Sequence, residues 1–473
     1  MIETRRRAGA SGPPCDHVAI VVLATFMMAY GVFCVFVLQA DALFIHTDAA
    51  VRLFGAILRN EVYLNGAPPA AQVLRDVSRT IEQLPALAAI RLGVDDIPKL
   101  RMIYAATLLA YYPLALAAIF FILPLGQKRL LVFPATAFVV LGLPNIIEFS
   151  SEVHFLHALA WVLFFLLLPL DNRRWSPVRR GATLLAAAAS VASYESVCVY
   201  HLFFLALLHG RTTLGAGREL HDSGPGRGLR LALSAIFLVG IAANLHSILT
   251  FDAGRYATLS ARVSIFMTPM LLLSLLFLGA SFAAALPVAW MPFARSRPWL
   301  LPVFLAGILL CVAMISAIRA PYSIGEMRIM RHPIAWLGWL PMLLVLARPR
   351  FPSGLPEIWG RTTALVAIAL VCIQPYISAR SLMAHAGRVP TMVEAQTSVA
   401  GCQEIDRVGR GRFVVQPVFT VTIQMVLLAG SRDVRALIYL DEAQLSNFRE
   451  FYGPIDSFDD TFFDFSALEC LDN

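Results

Sequence analysis

Met102 to Leu125 reads MIYAATLLAYYPLALAAIFFILPL, twenty-four residues without one charged side chain. As an α-helix it spans about 36 Å, more than the ~30 Å hydrocarbon core of a bilayer. Val18 to Ala40, VAIVVLATFMMAYGVFCVFVLQA, is a second such run. It follows the basic stretch Met1–Arg7 and is too long for the apolar part of a cleavable leader, so it reads as an uncleaved signal anchor. Working outward from these two runs, eleven apolar segments recur, at 18–40, 102–125, 129–146, 154–170, 181–194, 196–209, 230–250, 264–290, 299–317, 333–347 and 361–378. The composition agrees. Of 473 residues, 58% are hydrophobic and 15% charged, with a mean hydropathy of +0.70, whereas soluble domains carry ~25% charged residues. The expected fold is an all-α polytopic membrane protein of about eleven transmembrane helices.

Charge orients the segments. The formal net charge is +7, and lysine occurs only at Lys99 and Lys128. Short Arg-rich connections follow alternate spans: Lys128/Arg129, Arg173/Arg174/Arg179/Arg180, Arg211/Arg218/Arg227/Arg230, Arg295/Arg297 and Arg348/Arg350/Arg361. Cytoplasmic loops collect arginine and lysine in this way. Residues 1–17 are then a cytoplasmic tail and 18–378 the transmembrane domain of a multi-pass inner-membrane protein. Its N-terminus is cytoplasmic and its C-terminus periplasmic. The pattern requires the short fifth and sixth segments, 181–194 and 196–209, to cross separately. No basic run interleaved with aromatics lies on a soluble face, so nucleic acid is not an expected partner; membrane lipids are.

Two outer regions are longer. The first loop, 41–101, carries apolar residues at helical spacing twice: Ala49, Leu53, Phe54, Ile57 and Leu58, then Val73, Val77, Ile81 and Leu84. Both stretches are expected to be amphipathic helices on the membrane surface. Arg52, Arg59, Arg75, Arg79 and Arg91 run against the charge bias there, although long loops obey it poorly. Residues 379–473 turn polar and alternate apolar strands with turn residues, which predicts a small C-terminal extracytoplasmic α/β domain. Cys402 and Cys470 are its two cysteines and are expected to pair in an oxidising compartment. The seven cysteines form no zinc or haem spacing.

Ionisable residues at membrane ends are candidates for function. On the outer side the acids are Asp41 directly after the first span, Asp48 in the first loop helix, Glu152 beside Glu148, His154 and His157, and Glu195 in Ser193-Tyr194-Glu195. Solvation of loop ends is the plain alternative for Asp41 and Asp48; Glu152 and Glu195 have little loop around them. The bases are Arg319, Arg328, Arg331 and His332, between the ninth and tenth spans. Guanidinium groups hold phosphate bidentately, whereas lipid headgroups are the simpler partners of interfacial arginine. A carboxylate base for an acceptor hydroxyl and a guanidinium cluster for a departing phosphate are the parts that glycosyl transfer from a lipid phosphate needs.

This layout resembles the membrane glycosyltransferases of the GT-C type. The likeness is carried by one inward-starting span, a loop with two amphipathic helices, an acid right after the first span, Glu148-Phe149-Ser150-Ser151-Glu152-Val153-His154, the Ser193-Tyr194-Glu195 turn and the late Arg-rich outer loop. It covers about residues 16–380, and no Asp-x-Asp pair follows the first span. The resemblance implies a polyprenyl-phosphate sugar donor, a glycan or lipid acceptor, and a base in the first outer loop, Asp41 or Asp48, with Glu152 and Glu195 as the other candidates. Arg319, Arg328, Arg331, His332, His154 and Tyr194 are the candidate substrate-binding residues. No cofactor follows from the sequence; a divalent metal is left open. The competing readings are an O-antigen polymerase or ligase, a lipid or polysaccharide transporter, and a non-catalytic membrane scaffold.

Overall fold

The computed structural model describes residues 15–39, 47–63, 75–143, 152–168, 175–194, 197–209, 225–250, 342, 386–387, 389–404, 421–439, 462–464 and 468. They are mostly helical. In chain order come α1 (Cys15–Gln39), α2 (Thr47–Arg59), α3 (Asp76–Arg91) and α4 (Ile97–Ile122), then a 3-10 turn (Leu125–Leu131), α5 (Val132–Ala137) and a π-helix (Phe138–Gly142). There follow α6 (Glu152–Leu167), α7 (Pro177–Val191), α8 (Val197–His209), α9 (Arg227–Thr250), α10 (Val389–Ser398), β1 (Gly401–Glu404), α11 (Val421–Ala429) and β2 (Ala436–Tyr439). Apart from Met342, the expected spans 264–290, 299–317, 333–347 and 361–378 lie outside the described residues.

Two described helices are long and apolar enough to cross a membrane: Ile97–Ile122 and the Arg227–His246 stretch of α9. Local chemistry sets the start of α4. The Asp96 side chain accepts a hydrogen bond from the Lys99 backbone N–H at 3.2 Å, and Pro98 occupies the first turn, where a missing N–H costs nothing. Pro124 follows directly after its C-cap, Leu123. The fifth and sixth segments are separate helices, α7 and α8, both packed on α6 and α9. Ser176 caps α7 through the Arg179 N–H. At ~20 Å each they are shorter than a bilayer core. The expected continuous span 129–146 is instead broken among 3-10, α and π geometry. Gly142 lets the ring of Tyr112 approach this segment closely, since a Cβ there would overlap it.

The helices bury one side and expose the other, and both sides are apolar. On α1, Phe26, Tyr30, Phe33 and Val37 are buried, while Met28, Val32, Val35 and Phe36 are exposed. Phe121 on α4 is 83% exposed, and Leu185, Leu202, Leu238 and Val239 point outward from α7, α8 and α9.

The first-loop helices depart from expectation. Helix α2 is buried over most of its length, Arg52 included. It packs against α3 and α11, and Phe54 meets Phe463 with ring centroids 4.8 Å apart. Its apolar stripe is covered by protein, not laid on a bilayer. Helix α3 inverts the expected pattern. Ser78, Arg79, Glu82 and Gln83 are buried, Val77 and Ile81 are half-buried, and Leu84 is 50% exposed. Charged partners on neighbouring elements outweigh the apolar stripe, because a buried charge is tolerated only when paired.

In the C-terminal region, β1 and β2 are parallel, with Gly401 opposite Ala436, and α11 forms the crossover between them. Helix α11 docks on α2 and α4; a buried Arg101 Nη1 donates to the Leu428 carbonyl at 3.0 Å. Cys402 is disulfide-bonded, and its expected partner Cys470 lies outside the described residues.

Candidate functional site

Three elements converge on the N-terminus of α6: α2, α3 and the turn after α7. Stitching of that turn to α3 comes first. The Val77 N–H donates to the Ala192 carbonyl at 3.2 Å, and Ser78 Oγ donates to the Ser193 carbonyl at 2.8 Å. Gln83 then fixes the chain leaving α2. Its Nε2 donates to the Tyr63 carbonyl at 2.9 Å, and its Oε1 accepts from the Tyr63 N–H at 2.7 Å. Gly55 leaves room for the Tyr63 ring, which any Cβ at that position would strike.

Within this frame lies a buried ionic cluster. Arg52 Nη1 meets Glu82 Oε2 at 2.5 Å, and Arg52 Nη2 meets Glu152 Oε1 at 2.6 Å. One guanidinium fork therefore sets two carboxylates side by side. Arg79 Nε also donates to Glu152 Oε1 at 3.0 Å, and Arg75 Nη1 stands 3.9 Å from it. Arg75 in turn lies over the Tyr194 ring, 5.1 Å from its centroid. Glu82 and Glu152 are fully buried. Glu82 Oε1 and Glu152 Oε2 have no hydrogen-bond partner.

Burial pushes the Glu82 carboxyl up from 4.5 to about 7. Arg52 opposes that rise, and the nearby Glu152 charge adds to it. Burial also raises Asp76, against the pull of Arg79.

Deeper in the bundle, Tyr112 of α4 hydrogen-bonds His154 Nδ1 at 2.8 Å. His157, one turn on, is fully buried with neither ring nitrogen hydrogen-bonded, its ring edge-on to Phe138 and Tyr112.

Of the residues singled out in the sequence, Glu152, His154 and Tyr194 gather at this end of the bundle. Asp48 falls in the first turn of α2. Asp41, Glu195, Arg319, Arg328, Arg331 and His332 lie outside the described residues. Sequence reasoning missed Arg52, Arg75, Arg79 and Glu82 as site residues. Their signal was present: arginines against the charge bias expected of an outer loop, and Arg79, Glu82 and Gln83 at helical spacing on one face.

Among the described residues no group of three or more His, Cys, Asp or Glu side chains is placed to hold a metal ion. The donor set at Glu82 and Glu152 fits a metal poorly, since Arg52 already occupies one oxygen of each and Arg79 and Arg75 add positive charge. No protein-family model, curated protein or solved structure matches the chain.

Proposed function

We propose that this chain is a polytopic inner-membrane glycosyltransferase of GT-C architecture. It would have about eleven spans, a cytoplasmic N-terminus and a periplasmic C-terminal α/β domain over 379–473. The reaction is transfer of a sugar from a polyprenyl-phosphate donor to an envelope glycan or lipid on the outer face. The membrane part is supported by helices that expose apolar residues on the side away from the core, as a hydrocarbon solvent allows. The enzymatic part is carried by one observation: the first loop closes on the N-terminus of α6 through a fully buried carboxylate–guanidinium cluster. Such a cluster is costly to bury and is weak evidence for stability alone, which makes it a candidate for positioning or chemistry.

The roles divide as follows. Glu152, gripped by guanidinium groups, positions the first loop against the bundle. Asp41, Asp48 and Glu195 supply the carboxylate that takes the acceptor proton. Arg319, Arg328 and Arg331, with His332, hold the phosphate as charge develops on the leaving oxygen.

The test uses the full chain in nanodiscs with labelled polyprenyl-phosphate sugars. Asp41→Asn or Asp48→Asn is expected to stop transfer while donor binding persists. Arg328→Ala is expected to weaken donor binding about tenfold or more, as loss of a charge-assisted contact worth ~1.5–3 kcal/mol does. Full transfer by Asp41→Asn, Asp48→Asn and Glu195→Gln alike would remove the base assignment. Normal donor binding by the arginine variants as well would remove the reading.

A further inference from the structure

We propose that the groove between α3 and the chain leaving α2 holds a membrane phospholipid with a primary-amine headgroup. Its phosphate sits at Arg91, its ammonium at Glu61, and an acyl chain runs along the outward leucines of α3. The inference stands apart from glycosyl transfer and rests only on α4 crossing a membrane.

The groove has a volume of about 400 Å³ and is lined by Glu61 and Val62 on one side and by α3 on the other. Leu84, Ala88 and Leu92 recur every fourth residue, so they share one face of the helix. That face lies opposite the buried Ser78, Arg79, Glu82 and Gln83: Leu84 is 50% exposed and Leu92 85%. The turn that ends α3 holds Arg91 and Leu92 in place. Gly93 adopts a φ of 88°, its N–H donates to the Ile90 carbonyl at 2.9 Å, and the Val94 N–H donates to the Ala89 carbonyl at 3.0 Å.

Position selects a lipid. Helix α4, long and apolar enough to cross a membrane, starts at Ile97, five residues beyond Leu92. Met102, early in α4, is itself 56% exposed. A helix end tied this closely to the start of a span lies in the headgroup layer, where exposed leucines meet acyl chains.

Charge selects the headgroup. Glu61 and Arg91 are the two charged residues lining the groove, both exposed. Among the described residues neither is held in an ion pair. A guanidinium takes phosphate bidentately, and a carboxylate needs a donor. A zwitterionic headgroup brings a phosphate and an ammonium on one short linker and so answers both. An anionic headgroup or a polyprenyl phosphate answers Arg91 alone and sets like charge against Glu61. A quaternary amine carries positive charge but no N–H for the carboxylate.

The experiment uses the full chain, purified in detergent, with an equal mixture of phosphatidylethanolamine, phosphatidylcholine and phosphatidylglycerol of the same acyl chains, plus a polyprenyl phosphate. Native mass spectrometry reads the bound lipid, and circular dichroism confirms that each variant folds. The wild type is expected to retain phosphatidylethanolamine preferentially. Glu61→Gln is expected to lower its preference over phosphatidylcholine about threefold, the size of one exposed ion pair. Arg91→Gln is expected to weaken all three phospholipids alike, and Glu61→Lys to turn the preference toward phosphatidylglycerol. In native membranes, a photoreactive side chain in place of Leu92 is expected to crosslink to lipid.

Equal retention of the ethanolamine and choline lipids, stronger retention of phosphatidylglycerol or polyprenyl phosphate, or a preference unchanged in Glu61→Gln would each overturn the proposal. So would a protein adduct from position 92, whether a second copy or another chain. Sugar transfer without the amine preference removes this site and leaves the glycosyl-transfer reading standing; a Glu61-dependent preference without transfer does the reverse. Release of the chain from its membrane by alkaline carbonate would overturn both, since α4 then spans nothing.

Discussion

Helices α2 and α3 belong to the same loop and share a similar length, yet the first half of α3 buries a polar face where α2 buries an apolar one. Helix α2 turns its apolar stripe inward, with Leu53, Phe54 and Ile57 in the core and Arg52 buried beside them. Helix α3 turns Ser78, Arg79, Glu82 and Gln83 inward over its first half, buries Ala86, Leu87 and Ala89 over its second, and leaves Leu84 outside. The difference teaches that burial in this loop follows available partners, not hydrophobicity alone. Phe463 and α11 cover the apolar face of α2. Arg52, Glu152 and the Tyr63 backbone receive the polar face of α3.

Removing the group that joins the two helices is expected to have the largest effect. Arg52→Met leaves Glu82 and Glu152 without their shared fork. Stripping one partner from a buried ion pair costs about 3–5 kcal/mol, and denaturant unfolding in detergent should show a loss of that size. Combining Arg52→Met with Glu82→Gln should recover part of it, because one uncompensated charge is gone. A smaller effect tests the packing that lets α2 approach the chain leaving it. Gly55→Ala drives a methyl into the Tyr63 ring and should cost about 1–3 kcal/mol, as overpacking does, with Tyr63 losing its hold on Gln83.

A pH series sharpens the comparison further. The Glu82 carboxyl is raised from 4.5 to about 7 in the folded protein, so the folded state binds its proton more tightly than the unfolded chain. Its contribution is fully present below pH 4.5 and is lost as pH rises through about 7. The thermal midpoint of the wild type should therefore fall, relative to Glu82→Gln, between those two values. A rise instead would mean that Glu82 is stabilised as its anion. Smallest of all is Arg432→Ala. Its contact with Asp95, at 3.4 Å, joins two exposed side chains, and exposed pairs contribute ~0–1 kcal/mol.

The sequence made the helical architecture plain, because apolar runs such as Met102–Leu125 have one comfortable conformation. It also singled out Glu152, His154 and Tyr194, each a polar group between apolar segments. The buried face of α3 was not legible. Periodicity marks where apolar residues lie on a helix, whereas the site of their burial depends on partners distant in the chain. Arg52 lies 30 residues from Glu82, and Arg79 lies 73 from Glu152. Nor was the π-helix at Phe138–Gly142 legible, where Tyr112 of a distant helix packs on Phe138 and against Gly142. The arginines of the first loop were visible as exceptions to the charge rule. Arg52, Arg75 and Arg79 face carboxylates, whereas Arg59 lies over the Tyr63 ring.

The most direct test of the enzymatic reading needs no knowledge of the acceptor. Deleting the gene in its own host and extracting the membrane lipids should reveal one polyprenyl-phosphate sugar accumulating, with the matching sugar missing from the envelope glycan or glycolipid. Restoring the wild-type chain should reverse both changes. An unchanged donor pool together with an unchanged envelope composition would contradict the account.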